Sequence, residues 1–177
     1  SGTIAVADNA IDLGASGVRF KDLYLSGGVF LGGTGSANKL DDFEEGIFTA
    51  TVTPSGTGSM TLDSSQDELR YSKIGKRVFI TGGVVISSSS SPTGYMRISL
   101  PYIVTNSGSA NNSRRSTGSV WISNAGENVY EYQLFIINGE SYARIYKGIG
   151  TALESNSAQT MSSNNSIYVN FSYETTS

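Results

Sequence analysis

The sequence contains neither cysteine nor histidine. Without cysteine, a disulfide framework, a thiolate nucleophile and a zinc site built on sulfur are excluded. Without histidine, the Ser-His-Asp, Cys-His and His-Glu-x-x-His mechanisms are excluded as well. An enzyme made from this chain would have to use carboxylates, lysine, tyrosine or a serine–lysine pair. Nothing in the sequence indicates a cofactor.

Charge is scarce and long apolar runs are missing. Only 15% of the residues are charged, the formal net charge is −3, and the largest basic cluster is Arg114-Arg115. A field this weak argues against nucleic acid as a partner. No apolar run approaches the roughly 20 residues of a membrane-spanning helix, and the N-terminus lacks the pattern of a signal peptide. We therefore expect neither nucleic-acid binding nor membrane insertion. Because the chain begins at Ser1 without a methionine, we expect it to be a segment of a longer protein.

The abundant residues are serine, threonine, glycine, asparagine, tyrosine and valine, which favour strands and turns over helices. From Ile47 onward, alternating runs separated by turn signals predict about eight or nine antiparallel strands. Gly75-Lys76 and Asn138-Gly139 predict hairpin turns. We expect a loop over Ser87–Ser91 and the longest strand over Val129–Ile137. One apolar face per strand predicts an all-β fold, an antiparallel β-sandwich or jelly-roll knob over residues 41–177.

The preceding segment, residues 1–40, repeats a weaker pattern. Apolar pairs two residues apart recur at Ile4/Val6, Ile11/Leu13, Val18/Phe20, Leu23/Leu25 and Val29/Leu31. This spacing places both side chains on one face of a strand. Burying two such side chains contributes roughly 3–6 kcal/mol at best, whereas ordering about six residues costs about 1–2 kcal/mol each. The pattern predicts a short β-shaft in which three copies intertwine. An extended arm lying on the knob is the alternative.

The stretch Leu40–Gly46 is the acidic cluster of the chain, with carboxylates at Asp41, Asp42, Glu44 and Glu45. Such a group could hold a cation or supply the acid/base pair of a glycosidase. Consecutive carboxylates in a bend, however, rarely face each other across a cleft of about 5–9 Å. We interpret the stretch as a tight turn or a one-turn helix that Gly46 ends. We assign no catalytic residue and no metal ligand, and expect no enzyme.

Four stretches carry recognisable motifs: GVRFKDLYL (17–25), LDDFEEGIFT (40–49), YSKIGKRV (71–78) and ISLPY (98–102). In that order they resemble a shaft element, the shaft-to-knob junction, a knob hairpin and a strand end of the C-terminal regions of bacteriophage tail fibres and tailspikes. At the junction, Ile47 and Ala50 stand where that family more often has threonine and proline. Beyond Pro101 the resemblance is one of pattern only.

The resemblance implies a homotrimeric fibre tip, exposed on the virion outside the cell, that binds a bacterial cell-surface glycan or an outer-membrane protein. It carries over no catalytic residue. Sugar recognition would use aromatic rings for stacking and polar side chains for hydrogen bonds. The candidate ligand-binding residues are Tyr95, Arg114, Arg115, Trp121, Tyr130 and Tyr132.

Each candidate also has a structural interpretation. Trp121 lies between Val120 and Ile122, which is typical of a core residue, and the two arginines fit a solvated loop. Tyr130 and Tyr132 fit a subunit interface or a sheet face equally well. The sequence therefore leaves two main functions open: a receptor-binding knob, or a structural domain that trimerises and caps a fibre or a capsid decoration while host binding lies elsewhere. A carboxylate glycosidase is a remote third.

Overall fold

The structure is a computed structural model that describes residues 10, 12–106, 115–123, 131–149, 152–154 and 156–176. The chain divides between Asp41 and Asp42 into two compact units.

The first unit contains little regular structure over residues 12–41. Ala15 and Val18 form an isolated antiparallel bridge. Strand β1 (Val29–Phe30) pairs with β2 (Lys39–Leu40), and a 3-10 turn at Ser36–Asn38 lies between them. The glycine-rich bend of the sequence is therefore the loop of a very short hairpin. The remaining apolar pairs of this range lie outside its strands.

The apolar side chains predicted to line the shaft are exposed in the single chain. Val29 is half-buried, and Ile11 lies outside the described residues. The others have exposed fractions of 75% for Leu13, 74% for Val18, 66% for Phe20, 63% for Leu23, 52% for Leu25 and 59% for Leu31. One copy of the chain therefore does not supply the burial that would order this segment. Its trimeric arrangement stays a prediction.

The second unit is built from antiparallel strands. They are β3 (Phe43–Thr49), β4 (Val52–Pro54), β5 (Ser59–Leu62), β6 (Glu68–Ile74), β7 (Arg77–Ser90), β8 (Met96–Ser99), β9 (Ser116–Ser123), β10 (Glu131–Ile136), β11 (Tyr142–Ile149), β12 (Ala152–Glu154) and β13 (Ser166–Glu174). A 3-10 turn at Ser157–Thr160 precedes β13. No helix in the described ranges is long or apolar enough to cross a lipid bilayer.

These strands form one continuous sheet in the order β3-β6-β7-β13-β9-β10-β11-β8-β4, with β5 paired to β7 and β12 paired to β11. Because β5 pairs with β7 and also packs beside β4, at the far end of this order, the sheet curls into a half-barrel. The prediction of an all-β antiparallel domain is confirmed. The strands build a single curled sheet, where the sequence suggested the two layers of a sandwich or jelly roll.

The inner face of the curled sheet holds the core. Its fully buried side chains include Leu69, Ile80, Ile98, Leu134, Ile145 and Tyr173. In β13 the buried positions alternate with more exposed ones, as the sequence predicts for Ile167–Tyr173. Since neighbouring residues of a strand point to opposite faces, the residues that alternate with these core residues form the outer face of the sheet.

Both predicted hairpins exist. Gly75 and Lys76 join β6 to β7, where Ile74 pairs with Arg77 and Gly75 adopts a φ of +55°. Asn138 and Gly139 lie in the longer connection between β10 and β11, and the Gly139 amide donates a hydrogen bond of 3.1 Å to the carbonyl of Val104.

Three local predictions are wrong. The acidic stretch Leu40–Gly46 forms neither a helix nor a tight turn: its residues Phe43–Gly46 belong to β3, which pairs with β6 along its whole length, and Leu40 ends β2. Four of the five serines at 87–91 belong to β7, where pairing with β5 overrides their weak strand preference. The longest strand is accordingly β7, with 14 residues, and not Val129–Ile137.

Candidate functional site

The outer face of β8, β10 and β11 carries a cluster of aromatic rings and arginines. Arg144 on β11 lies directly opposite Arg97 on β8 and Phe135 on β10. By the alternation of strand side chains, Tyr142 and Tyr146 project on the same side as Arg144, and Tyr95 on the same side as Arg97. We call this set the arginine–tyrosine face; it consists of Tyr95, Arg97, Phe135, Tyr142, Arg144 and Tyr146. All of its members are half-buried.

The rings of this face pack against one another. The ring centroids of Tyr95 and Tyr146 lie 5.1 Å apart, and those of Phe135 and Tyr146 lie 5.7 Å apart in an edge-to-face arrangement. Both geometries are favourable for aromatic pairs. The rings therefore form a layer from the start of β8 across β11 to β10, and each ring limits the movement of the next.

Arg144 is neutralised and held in place. Its Nε donates a hydrogen bond of 2.9 Å to the Glu140 carboxylate, and its Nη2 forms an ion pair with the same group. Its Nη1 lies 3.4 Å from the hydroxyl of Tyr146, and its Cζ lies 5.0 Å from the ring centroid of Tyr95. The hydrogen bonds with Glu140 raise the pKa of Arg144. Tyr142 donates a hydrogen bond of 3.2 Å to Glu140, and burial together with that negative charge raises the pKa of Tyr142.

Arg97 has a different environment. Its Cζ lies 4.9 Å from the ring centroid of Tyr142 and 5.4 Å from that of Tyr95, so cation–π contacts hold the guanidinium. Among the residues that the structure describes, no carboxylate forms an ion pair with Arg97. Its Nε is buried without a hydrogen-bond partner. The face thus combines one neutralised arginine with one that has no counter-charge in the described chain.

The structure brings one predicted ligand-binding residue, Tyr95, into this face. Tyr132 instead points inward, where its hydroxyl lies 3.0 Å from Thr160 Oγ1 and its ring packs against the core. Arg115 is exposed just before β9. Arg114 and Tyr130 lie outside the described residues.

Trp121 is not a core residue, and that interpretation is wrong. Its side chain is 63% exposed on the outer face of β9, and its ring lies 5.3 Å from that of Tyr168. The core position next to it belongs to Ile122, since β9 points Trp121 and Ile122 to opposite sides.

Trp121 belongs to a second surface, on the outer side of β3, β6, β7, β9 and β13. We call it the outer apolar face; it consists of Phe43, Ile47, Ile74, Phe79, Trp121 and Tyr168, all of them exposed. Within this surface the Tyr168 ring covers Gly83, where a Cβ would approach the ring to 2.6 Å. The described part of this face offers broad apolar area rather than convergent polar groups.

The carboxylates of the acidic stretch have separate structural partners. Asp41 pairs with Lys39 at 3.0 Å, and Asp42 pairs with the buried Lys73. Glu44 accepts a hydrogen bond from Tyr71, and this bond, together with one from Tyr102, lowers the pKa of Glu44. Within the described residues no group of three or more acidic side chains is arranged to hold a metal ion.

Sequence reasoning missed most of the arginine–tyrosine face. The signal that could have found it is the alternation Tyr95-x-Arg97 at the start of β8 and Tyr142-x-Arg144-x-Tyr146 on β11, in which these residues alternate with buried ones. The two patterns become one site only through the register of β8 against β11, which the sequence alone does not provide.

No protein-family model matches the sequence, and no curated protein matches it. Among solved structures, the chain is similar to the Dettilon tailspike protein, with a TM-score of 0.63 and 21% sequence identity. The similarity covers 75% of this chain and 24% of the tailspike chain, so the matched part spans about a quarter of that protein's length. At this identity the likeness shows a shared fold. It supports the expectation of a tail-fibre or tailspike-like region at the level of fold.

Proposed function

We propose that this chain is the tip region of a phage tail fibre or tailspike and that it attaches the virion to a bacterium by binding a surface glycan. The observation that carries the proposal is the arginine–tyrosine face, in which packed rings and guanidinium groups share one rigid sheet surface. Aromatic rings stack on the apolar faces of sugars, and arginine donates hydrogen bonds to their oxygens. An outer-membrane protein is the other class of receptor.

The likeness to a tailspike supports this proposal, because the shared fold belongs to a protein of that name. It also agrees with the motifs at residues 17–25, 40–49, 71–78 and 98–102. The proposed location is the virion exterior.

The proposed assembly is a homotrimer joined through the first unit. The apolar side chains of Leu13, Val18 and Phe20 are each at least 66% exposed in one copy. Burial against two further copies would remove them from water at about 25 cal/mol per Å² of apolar area. The shaft residues are thus proposed to hold the trimer, and the knob to meet the receptor.

The proposal assigns no catalysis to this chain. Asp41, Asp42 and Glu44 are each engaged by a lysine or by tyrosines, and Glu45 projects from the opposite face of β3. A glycosidase needs two carboxylates that converge on one bond. Incubation with a bound polysaccharide should release no reducing ends; release that disappears when these four residues are replaced by their amides would contradict the proposal.

A structural domain that only trimerises and caps the fibre is the second candidate. The outer apolar face favours it, since contiguous exposed apolar surface often marks a protein contact. In that case the rings of Trp121 and Tyr168 would become buried between copies, and the arginine–tyrosine face would bind nothing.

A glycan array probed with the fluorescently labelled chain tests the two candidates. We expect binding to a defined subset of bacterial glycans, lost in Tyr146→Ala and retained in Tyr168→Ala. Tyr146 belongs to the arginine–tyrosine face and Tyr168 to the outer apolar face, so the pair forms a matched control. A folded trimer that binds no glycan on the array would refute the glycan proposal and favour the structural candidate.

A further inference from the structure

Two arginines face each other across the β8–β11 pair. Directly opposite residues in antiparallel strands have Cβ atoms about 4.5–5.5 Å apart, so like charges at such positions repel. Glu140 neutralises the charge of Arg144 and so removes most of this repulsion. Glu140 is the carboxylate that faces this site, and its oxygens accept from Arg144 and Tyr142. In the described chain the positive charge of Arg97 therefore stays uncompensated.

The contacts of Arg97 leave its hydrogen-bonding edge for a ligand. A cation–π contact engages the flat face of a guanidinium, whereas the N–H donors lie in the plane and point outward. The rings of Tyr95 and Tyr142 lie 5.4 and 4.9 Å from its Cζ, and its Nε is buried, so its two terminal nitrogens, which form no hydrogen bond in the described chain, are the donors that a ligand can reach. An oxyanion could then approach these two terminal nitrogens in the plane of the guanidinium, which is the geometry that arginine uses for carboxylate and phosphate.

We propose that Arg97 anchors the oxyanion of an acidic sugar, one that carries a carboxylate or a phosphate, while the sugar ring lies on the tyrosine layer formed by Tyr95 and Tyr146. This inference rests on the proposed function, and it names the class of glycan. A neutral sugar would hydrogen-bond to Arg97 but would leave the positive charge of Arg97 without a counter-charge. An acidic sugar supplies the missing counter-charge.

Saturation-transfer difference NMR with D-glucose, D-glucuronate and D-glucose 6-phosphate tests the inference, because the three probes share one ring and differ in charge. We expect at least one anionic probe to bind about tenfold more tightly than glucose, as for a charge-assisted hydrogen bond. Comparing the two anionic probes distinguishes a carboxylate from a phosphate. The preference should disappear in Arg97→Gln and weaken in Arg97→Lys, which keeps the charge but loses the fork of donors.

Arg70→Gln is the matched control, since Arg70 is an exposed arginine in β6, which does not pair with any strand of the arginine–tyrosine face. It should leave the preference for an anionic probe unchanged.

Three outcomes would overturn the inference: equal binding of all three probes, an anion preference that survives Arg97→Gln, or saturation transfer to none of the probes. If Arg97→Gln fails to fold, Arg97→Lys takes its place. An unchanged preference of Arg97→Lys for the anionic probes, at both low and high salt, would then overturn the inference. A glycan array on which only neutral glycans bind would reject the acidic sugar and keep the proposed function, whereas an array with no binding would reject both.

Discussion

Arg97 and Arg144 carry the same side chain at opposite positions of one strand pair, and their surroundings decide what each one does. Arg144 has a carboxylate partner whose side chain is only 15% exposed, so its charge is balanced within the protein. Arg97 has two aromatic rings and, within the described chain, no counter-charge. Charge compensation thus assigns a structural role to the first arginine and leaves the second one for a ligand.

Replacing Glu140 with glutamine should expose the repulsion between the two arginines. We expect Glu140→Gln to lower the free energy of unfolding by about 1–3 kcal/mol, because a half-buried charge loses its partner. Denaturant unfolding measures the change. The double variant Glu140→Gln/Arg97→Gln should recover part of the loss, since one of the two like charges is gone. A double variant less stable than the sum of the single effects would contradict this account.

Glu44 should make the stability of the domain depend on pH. Its folded pKa lies below the ordinary value of 4.5, because Tyr71 and Tyr102 donate hydrogen bonds to the carboxylate. A carboxyl group whose pKa is lower in the folded state stabilises the fold when the pH is above its pKa in the unfolded state. That stabilisation is lost as the pH falls through the pKa of the folded state. The melting temperature should therefore decrease between about pH 5 and pH 3. Asp63, whose pKa Ser65 lowers, acts in the same direction.

The control for this pH dependence is Tyr71→Phe, which removes the hydroxyl that contributes most to lowering the pKa of Glu44. The acid-induced decrease should be smaller in Tyr71→Phe than in the parent chain, while Asp63 keeps its share. Identical pH profiles for the two proteins would show that the Tyr71 hydrogen bond does not stabilise the carboxylate.

Among the elements, β9 has a special position, because it joins the two halves of the curled sheet. Its first residues pair with β10 and its last residues with β13. The strand can bend between its partners at Gly118, which pairs with Leu134 and packs against the backbone of β13. A Cβ at this position would lie 2.9 Å from the carbonyl oxygen of Asn170 and still closer to Phe171.

Gly118→Ala should therefore destabilise the domain by about 1–3 kcal/mol, as expected for overpacking against backbone. Ser119→Ala, one residue away and exposed, is the control and should change the free energy of unfolding by less than about 0.5 kcal/mol. Guanidinium unfolding of both variants checks the prediction. Equal stability of Gly118→Ala and the parent chain would mean that β9 can move away from β13 at no cost.

Among the elements, the sequence predicts the turns and the strand alternation that depend on neighbouring residues in the chain. The Gly75-Lys76 turn and the alternation of Ile167–Tyr173 are local patterns, and both are confirmed. The serines at 87–90 and the acidic stretch were misread because pairing with β5 and β6 decides their conformation. The candidate site could not be predicted for the same reason, because only the register of β8 against β11 brings Arg97 beside Arg144. Without that register, the sequence can indicate single residues such as Tyr95 but not the site they form.

At the scale of the whole molecule, we propose that the first unit sets the state of assembly. Its apolar pairs are exposed in one copy, and the described part of the segment has few strand contacts of its own. We expect light scattering to give about three times the chain mass of 18.7 kDa. Deleting residues 1–40 should lower that mass or make it depend on concentration.

The substitution pair Phe20→Asp and Tyr24→Asp refines this test. Phe20 belongs to an apolar pair predicted to face inward, whereas strand alternation predicts that Tyr24, between Leu23 and Leu25, faces the other way. We expect only Phe20→Asp to dissociate the assembly. A particle of single-chain mass before and after the deletion would refute the trimer.

The side chains of the arginine–tyrosine face sit on strands whose alternate residues are fixed in the core. Evolution can therefore alter this surface one codon at a time, because exchanging Tyr95, Phe135 or Tyr146 leaves the backbone beneath it where it was. Under the proposed function, a virus carrying this domain would shift to new strains of bacteria through point mutations at this face, without inserting, deleting or swapping whole loops.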